Sequence, residues 1–171
     1  MRYERLLPIL ILALSGKAIA ADFASSFDKA HDRTWLGEEY WANPMEDWAI
    51  ENGRMVCVRG GANRNVHLLT YGLKEKESAF TTSVRLGIQK DSPKNGSAGF
   101  SIGIMDQETR DPRASLLYGK GLVAGVKAGG KLFIGKKLAD QSLPSLEDLT
   151  LRLEVSPGKR KGGYNISIKA F

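Results

Sequence analysis

One cysteine, Cys57, and two histidines, His31 and His67, are the whole supply of these side chains in a chain of 171 residues. A single cysteine excludes an internal disulfide, and a domain of about 150 residues buries roughly 68–70% of its unfolded surface, so it stands without one. Catalytic zinc is held by clustered His, Asp and Glu, and two separated histidines make no such cluster. His67 alternates with Val66 and Leu68 in NVHLLTY, which puts it on the opposite strand face as a surface or hydrogen-bonded residue. His31 stands beside Asp32, where a capping or surface role fits. Cys57 shares a strand face with Met55 in RMVCVRG and reads as a buried, inert thiol, because no histidine lies near it in sequence.

Helical periodicity is also missing. After residue 20 no segment keeps a 3.6-residue period over ten or more positions, and helix is expected only as short pieces at 23–31 and 144–148. The spacing E-x-D-x-x-E, which sets catalytic carboxylates on one face of a strand, does not occur; Glu38-Glu39 and Glu46-Asp47 are adjacent pairs that a strand would point apart. A carboxylate pair drawn from distant strands stays open, and with it a sandwich-type, glycosidase-like hydrolase as the alternative function. GVKAGGKL, residues 125–132, has the glycine and lysine spacing of a phosphate loop but offers Leu132 where a Ser or Thr must reach magnesium.

What is present begins with an export signal. MRYER is a basic start, LLPILILAL an apolar run, and Ala18-Ile19-Ala20 a small-x-small cleavage site, so residues 1–20 read as a secretory signal peptide and the product as secreted or periplasmic. Ser15, Gly16 and Lys17 interrupt the run before the ~20 apolar residues of a spanning helix, which argues against a permanent membrane anchor. Cleavage removes Arg2, Arg5, Lys17 and Glu4, which lowers the formal net charge from +6 to +4. Basic residues collect at turns: Lys131, Lys136 and Lys137 around one hairpin, and Lys159, Arg160 and Lys161 in another. They act either as solubilising tips or as an attraction for an anionic polysaccharide; with export indicated and no aromatic-basic motif beside them, nucleic acid is not expected.

Period two dominates the remainder. Phe80, Thr82, Val84, Leu86 and Ile88 form one face of AFTTSVRLGI; Leu149, Leu151, Leu153 and Val155 one face of LTLRLEV; Tyr164, Ile166 and Ile168 one face of YNISIKA. GFSIGIM, GLVAGVKA and KLFIG are further strands, the last two joined by Gly129-Gly130, and SPGKRKGG at 156–163 is a reversal. Residues 45–51 are expected as a strand that returns through Asn52-Gly53, so that Trp48 and Ile50 meet Met55 and Cys57. Eight to ten short strands, punctuated by 19 glycines, must stack two sheets to hide their apolar faces, and the expected fold is an all-β antiparallel β-sandwich.

The three tryptophans crowd into WLGEEYWANPMEDW. Trp48 belongs to the core on this reading. Trp35 and Trp41 flank turn residues at a rim, either as structural packing or, with Tyr40, as an aromatic platform for a carbohydrate. Asp106, Glu108 and Asp111 in MDQETRDP offer oxygen ligands for a structural calcium ion without the spacing of an EF-hand, and solvated loop acids are the competing reading. No other cofactor is indicated.

WLGEEYWANPMEDW, RNVHLLT at 64–70 and YGKGLVAG at 118–125 together resemble the amino-terminal region of secreted alkaline-phosphatase-D-like (PhoD-like) metallophosphatase proteins. The resemblance covers residues 34–171. It implies a jelly-roll sandwich of concanavalin-A-like or laminin-G-like type placed ahead of a two-metal phosphatase domain. No G-D-x-x-D or G-N-H-[DE] run of that domain occurs here, so no catalytic residue carries over. The expected organisation is a signal peptide at 1–20, a lead-in at 21–33 and a sandwich at 34–171, with the ending IKAF pointing to the front part of a longer protein or to a stand-alone relative. The expected function is an exported, non-catalytic module, carbohydrate-binding or accessory to a neighbouring phosphatase domain; a purely structural cap on that domain is the other alternative.

Overall fold

Leu149, Leu151, Leu153 and Val155 are all buried, while Arg152 between them is exposed. This strict alternation makes their strand the centre of the fold. The computed structural model describes residues 23–71, 79–89, 92, 94–105 and 120–171. Eleven strands occur among them: β1 (Tyr40–Asn43), β2 (Trp48–Glu51), β3 (Arg54–Cys57), β4 (Asn65–Leu68), β5 (Phe80–Leu86), β6 (Ser97–Met105), β7 (Lys120–Lys127), β8 (Lys131–Ile134), β9 (Lys137–Ser142), β10 (Leu149–Pro157) and β11 (Tyr164–Ala170). Every strand pairing is antiparallel, and the chain is an all-β protein with open sheets.

Two larger sheets face one another, in the orders β11-β10-β5 and β6-β7-β8-β9. Leu153 and Val155 of β10 pack with Ala124, Phe100, Ile102 and Ile134 of the opposite sheet, and Leu149 and Leu151 pack with Val126 and Leu132. Each fully buried leucine contributes about 1.5–3 kcal/mol of apolar transfer. The arrangement is sandwich-like, as the alternation predicts. In β7 the β6 backbone comes so close that a Cβ on Gly125 would strike the Ala98 carbonyl oxygen, and only glycine fits.

A smaller assembly is built from the paired ribbons β1-β4 and β2-β3. Asn52 (φ 50°) and Gly53 (φ 71°) close the second ribbon in the left-handed region, the conformation that Asn-Gly hairpins favour. The register joins Trp48 to Cys57 and Ile50 to Met55, as expected. Ile50, Leu36 and Ala42 are its buried centre, with Phe27, Tyr40, Trp48 and Val66 against them.

Four expectations change. Residues 23–31 and 144–148 form turns and bends rather than helix: both are shorter than the ~12–15 residues an isolated helix needs, and Phe27 and Ala30 reach the smaller core from a turn instead. The strand expected over 45–51 begins only at Trp48; Met45–Asp47 form a 3-10 turn after the cis Asn43–Pro44 bond. Val84 and Tyr164 lie on the apolar face of their strands yet are 38% and 45% exposed. They belong to β5 and β11, the margins of a three-stranded sheet, where one flank has no neighbouring strand among the described residues. Ile88 falls beyond the end of β5 and is exposed.

Candidate functional site

The lead-in to β1 is held by one backbone bridge. Arg33 exchanges hydrogen bonds with Ile50: its N–H donates to the Ile50 carbonyl at 3.0 Å, and the Ile50 N–H donates back at 2.6 Å. The next residues must then pass from this bridge to β1, and Leu36 anchors them in the smaller core at 4% exposed. Gly37 turns the chain at φ 117°, a conformation that L side chains avoid, and its carbonyl accepts the Tyr40 N–H at 3.2 Å.

This path leaves Trp35 outward. Its indole is 55% exposed, with the Arg33 guanidinium carbon 5.7 Å from the ring centroid, while Arg33 Nε donates to the Trp35 carbonyl at 2.7 Å. One arginine thus holds both the backbone and the ring face of Trp35, a cation–π contact worth about 0.5–1 kcal/mol at an exposed site. Below the indole opens a shallow cleft of about 310 Å³ lined by Phe27, Arg33, Trp35 and Tyr40, with the Glu38 and Glu39 residues on its margin. Tyr40 is braced from behind by Phe27, their rings 5.7 Å apart.

Trp41 does not join them. As the next residue in an extended strand it takes the opposite face of β1 and stacks on His67 of β4, with centroids 5.6 Å apart and planes 29° from parallel. His67 Nε2 donates to Asn65 Oδ1 at 2.8 Å, and burial lowers its pKa from the ordinary histidine value. Of the aromatic candidates, the fold therefore brings Trp35 and Tyr40 to one cleft and sends Trp41 elsewhere. Asp106, Glu108 and Asp111, like residues 1–20, where a signal peptide is expected, lie outside the described residues.

One polar cluster was not visible in the sequence. Asp47, 2% exposed, ends the 3-10 turn; Arg64 Nη2 lies 2.7 Å from its Oδ2, and Arg59 Nη1 3.6 Å from its Oδ1. The Asp47 carbonyl accepts the Val58 N–H at 2.9 Å, so one residue collects both ends of the RGGANR loop. Asp47 Oδ1, Trp48 Nε1 and Arg64 Nε are buried there without hydrogen-bond partners. The usable signal was a carboxylate followed by two arginines bracketing a glycine-rich loop, but pairing them needs the third dimension. Cys57 borders the cluster. Burial pushes its thiol up from the ordinary value against a smaller opposing effect of the Arg59 backbone, and Sγ donates to the Arg59 carbonyl at 3.4 Å.

Chemically, the cleft offers an aromatic face, a guanidinium and carboxylates in an open setting, which suits the binding of a polar ligand with an apolar ring face. GVKAGGKL forms the β7-β8 hairpin rather than a loop before a helix. Among the described residues no three His, Cys, Asp or Glu side chains gather in one place. Comparison of the chain with protein-family models, with curated proteins and with solved structures finds no match.

Proposed function

We propose that this chain is an exported, non-catalytic binding module with a jelly-roll sandwich of concanavalin-A-like or laminin-G-like type, and that it takes a carbohydrate at the Trp35–Tyr40 cleft. The observation that carries the reading is the state of Trp35, more than half exposed yet held by Arg33 through both its carbonyl and its ring. An indole fixed in water has lost the freedom that would otherwise oppose binding, and a pyranose ring presents the C–H face that stacks on it while its hydroxyls meet guanidinium and carboxylate. The resemblance to alkaline-phosphatase-D-like proteins supports the same role, an accessory module that brings a neighbouring phosphatase domain to a polysaccharide-bearing surface.

The experiment is titration of the purified chain with a panel of neutral oligosaccharides, followed by tryptophan fluorescence. Trp35→Ala and Tyr40→Ala each weaken the best ligand by about tenfold, the loss of roughly 1.4 kcal/mol expected for an aromatic anchor in a small site. Trp41→Phe, on the other face of β1, leaves it unchanged within twofold. Equal affinity in wild type and Trp35→Ala would remove the cleft from consideration.

A further inference from the structure

Two basic hairpins that lie apart in sequence leave the larger assembly at the same end. Within its core, Leu149 and Leu151 of β10 meet Val126 and Leu132, whereas Leu153 and Val155 meet Ala124 and Ile134. From Leu132 to Ile134, β8 therefore runs in the same direction as β10. Continuing past Ile134 leads into the β8-β9 turn with Lys136 and Lys137; continuing past Val155 leads into the β10-β11 turn with Lys159, Arg160 and Lys161. Lys131 sits at the base of the first hairpin, beside the β7-β8 turn at the opposite end.

The second tip has a defined shape. Its Gly158 N–H donates to the Gly163 carbonyl at 2.7 Å, the Gly163 N–H donates to the Arg160 carbonyl at 2.9 Å, and Gly162 turns at φ 73°. The loop encloses a hollow of about 380 Å³ bordered by its three cations and by Tyr164, which is 45% exposed. Neither turn contains an acidic residue; Glu154 of β10 is taken by Lys169 at 2.9 Å and Arg152 at 3.2 Å, and Asp140 stands exposed on β9, three residues past Lys137.

We propose that this end of the molecule binds a linear anionic polysaccharide, whose successive acid groups bridge the two tips. Five exposed cations on two separate tips enclose no single anion, and each exposed charge pair is worth only about 0.2–1 kcal/mol. A chain of acids engages several at once, and the second contact is then intramolecular. Membrane insertion is disfavoured because residues 135–137 and 158–163 contain no apolar side chain, and Leu138 and Tyr164 beside them are single exposed residues rather than an apolar face. Nucleic acid is disfavoured because the single aromatic, Tyr164, makes no series of stacking platforms. The surface is distinct from the Trp35 cleft, so Trp35→Ala leaves it intact and either reading can fail alone.

The test measures binding of the full chain to polygalacturonate and to heparin, with neutral dextran, duplex DNA and phosphatidylglycerol vesicles alongside. Expected are binding to an acidic polysaccharide but not to dextran, an affinity that falls steeply as salt rises, and a loss of about five- to tenfold in Lys136→Ala/Lys137→Ala and in Lys159→Ala/Arg160→Ala/Lys161→Ala. The control Lys94→Ala/Lys131→Ala, away from this end and charge-matched to the Lys136/Lys137 variant, stays within about twofold, as distant surface charges are screened. The salt dependence needs no variant and stands even if one fails to fold. Failure of the wild type to bind either acidic polymer, equal losses in the control, unchanged affinity in both tip variants, or tighter binding to DNA or vesicles would each overturn the proposal.

Discussion

Arg64 Nη2 lies 2.7 Å from Oδ2 of Asp47, and the carboxylate it meets is 2% exposed while the arginine keeps one side toward solvent. The pair ties the 3-10 turn before β2 to the residue before β4, so it clamps the two small ribbons together. A carboxylate so enclosed depends on its cation. Arg64→Met is expected to destabilise the chain by about 3 kcal/mol, because it strands a buried charge. Asp47→Asn/Arg64→Met, which removes both charges, is expected to recover part of that loss. Urea midpoints of the two variants at constant m decide the matter.

Core position and margin position should separate in the larger assembly. Leu153 is fully buried on the central strand, whereas Val84 is 38% exposed on an edge. Leu153→Ala is expected to cost about 2–5 kcal/mol and Val84→Ala less than about 1 kcal/mol. Equal costs in denaturant melts would contradict the assignment of β10 as the centre of the core.

The stacked Trp41–His67 pair predicts a pH dependence. Burial lowers the His67 pKa below its unfolded value, so the folded chain prefers the neutral ring. The stability that this contributes is fully present above the unfolded pKa of about 6.5 and is lost as pH falls through the lower folded value. Stability of the wild type should therefore decline below about pH 6.5, and His67→Gln should flatten that decline. Asp148, lowered by hydrogen bonds from Arg85, and Glu154, lowered by that from Lys169, act in a separate window. Their contribution is present above the ordinary carboxylate range and disappears only below about pH 4, so the two effects are resolved by a titration of the urea midpoint.

Cys57 is expected to react slowly. Burial raises its pKa and so reduces the thiolate, and the thiol is further engaged by the Arg59 carbonyl. A disulfide reagent at pH 7 should modify the native chain at least about tenfold more slowly than the urea-unfolded chain, since only the thiolate attacks. Similar rates in the two states would place Cys57 outside the packed ribbon.

Much of the strand content was legible from side-chain alternation alone. Leu149 to Val155 read correctly because β10 has a neighbour on both flanks, which lets each apolar residue sink completely. Val84 and Tyr164 carry the same pattern but lie on edge strands, and alternation encodes which face a residue takes without encoding how much covers it. The adjacent acids Glu46 and Asp47 show the complementary failure. They read only as an adjacent pair that a strand would point apart, and the backbone turn after Pro44 sends Asp47 inward to arginines 12 and 17 positions away.

By itself the sequence determined the all-β class, the Asn52-Gly53 and Gly129-Gly130 reversals and the inward faces of the central strands, because pleat and turn chemistry act between residues close in the chain. The tertiary structure alone decided that Trp35 and Tyr40 share a cleft while Trp41 turns to His67, that Asp47 is enclosed by arginines, and that the two basic hairpins emerge at one end. These are relations between distant segments, set by which sheet packs on which and in what register, and local patterning carries no information about that choice.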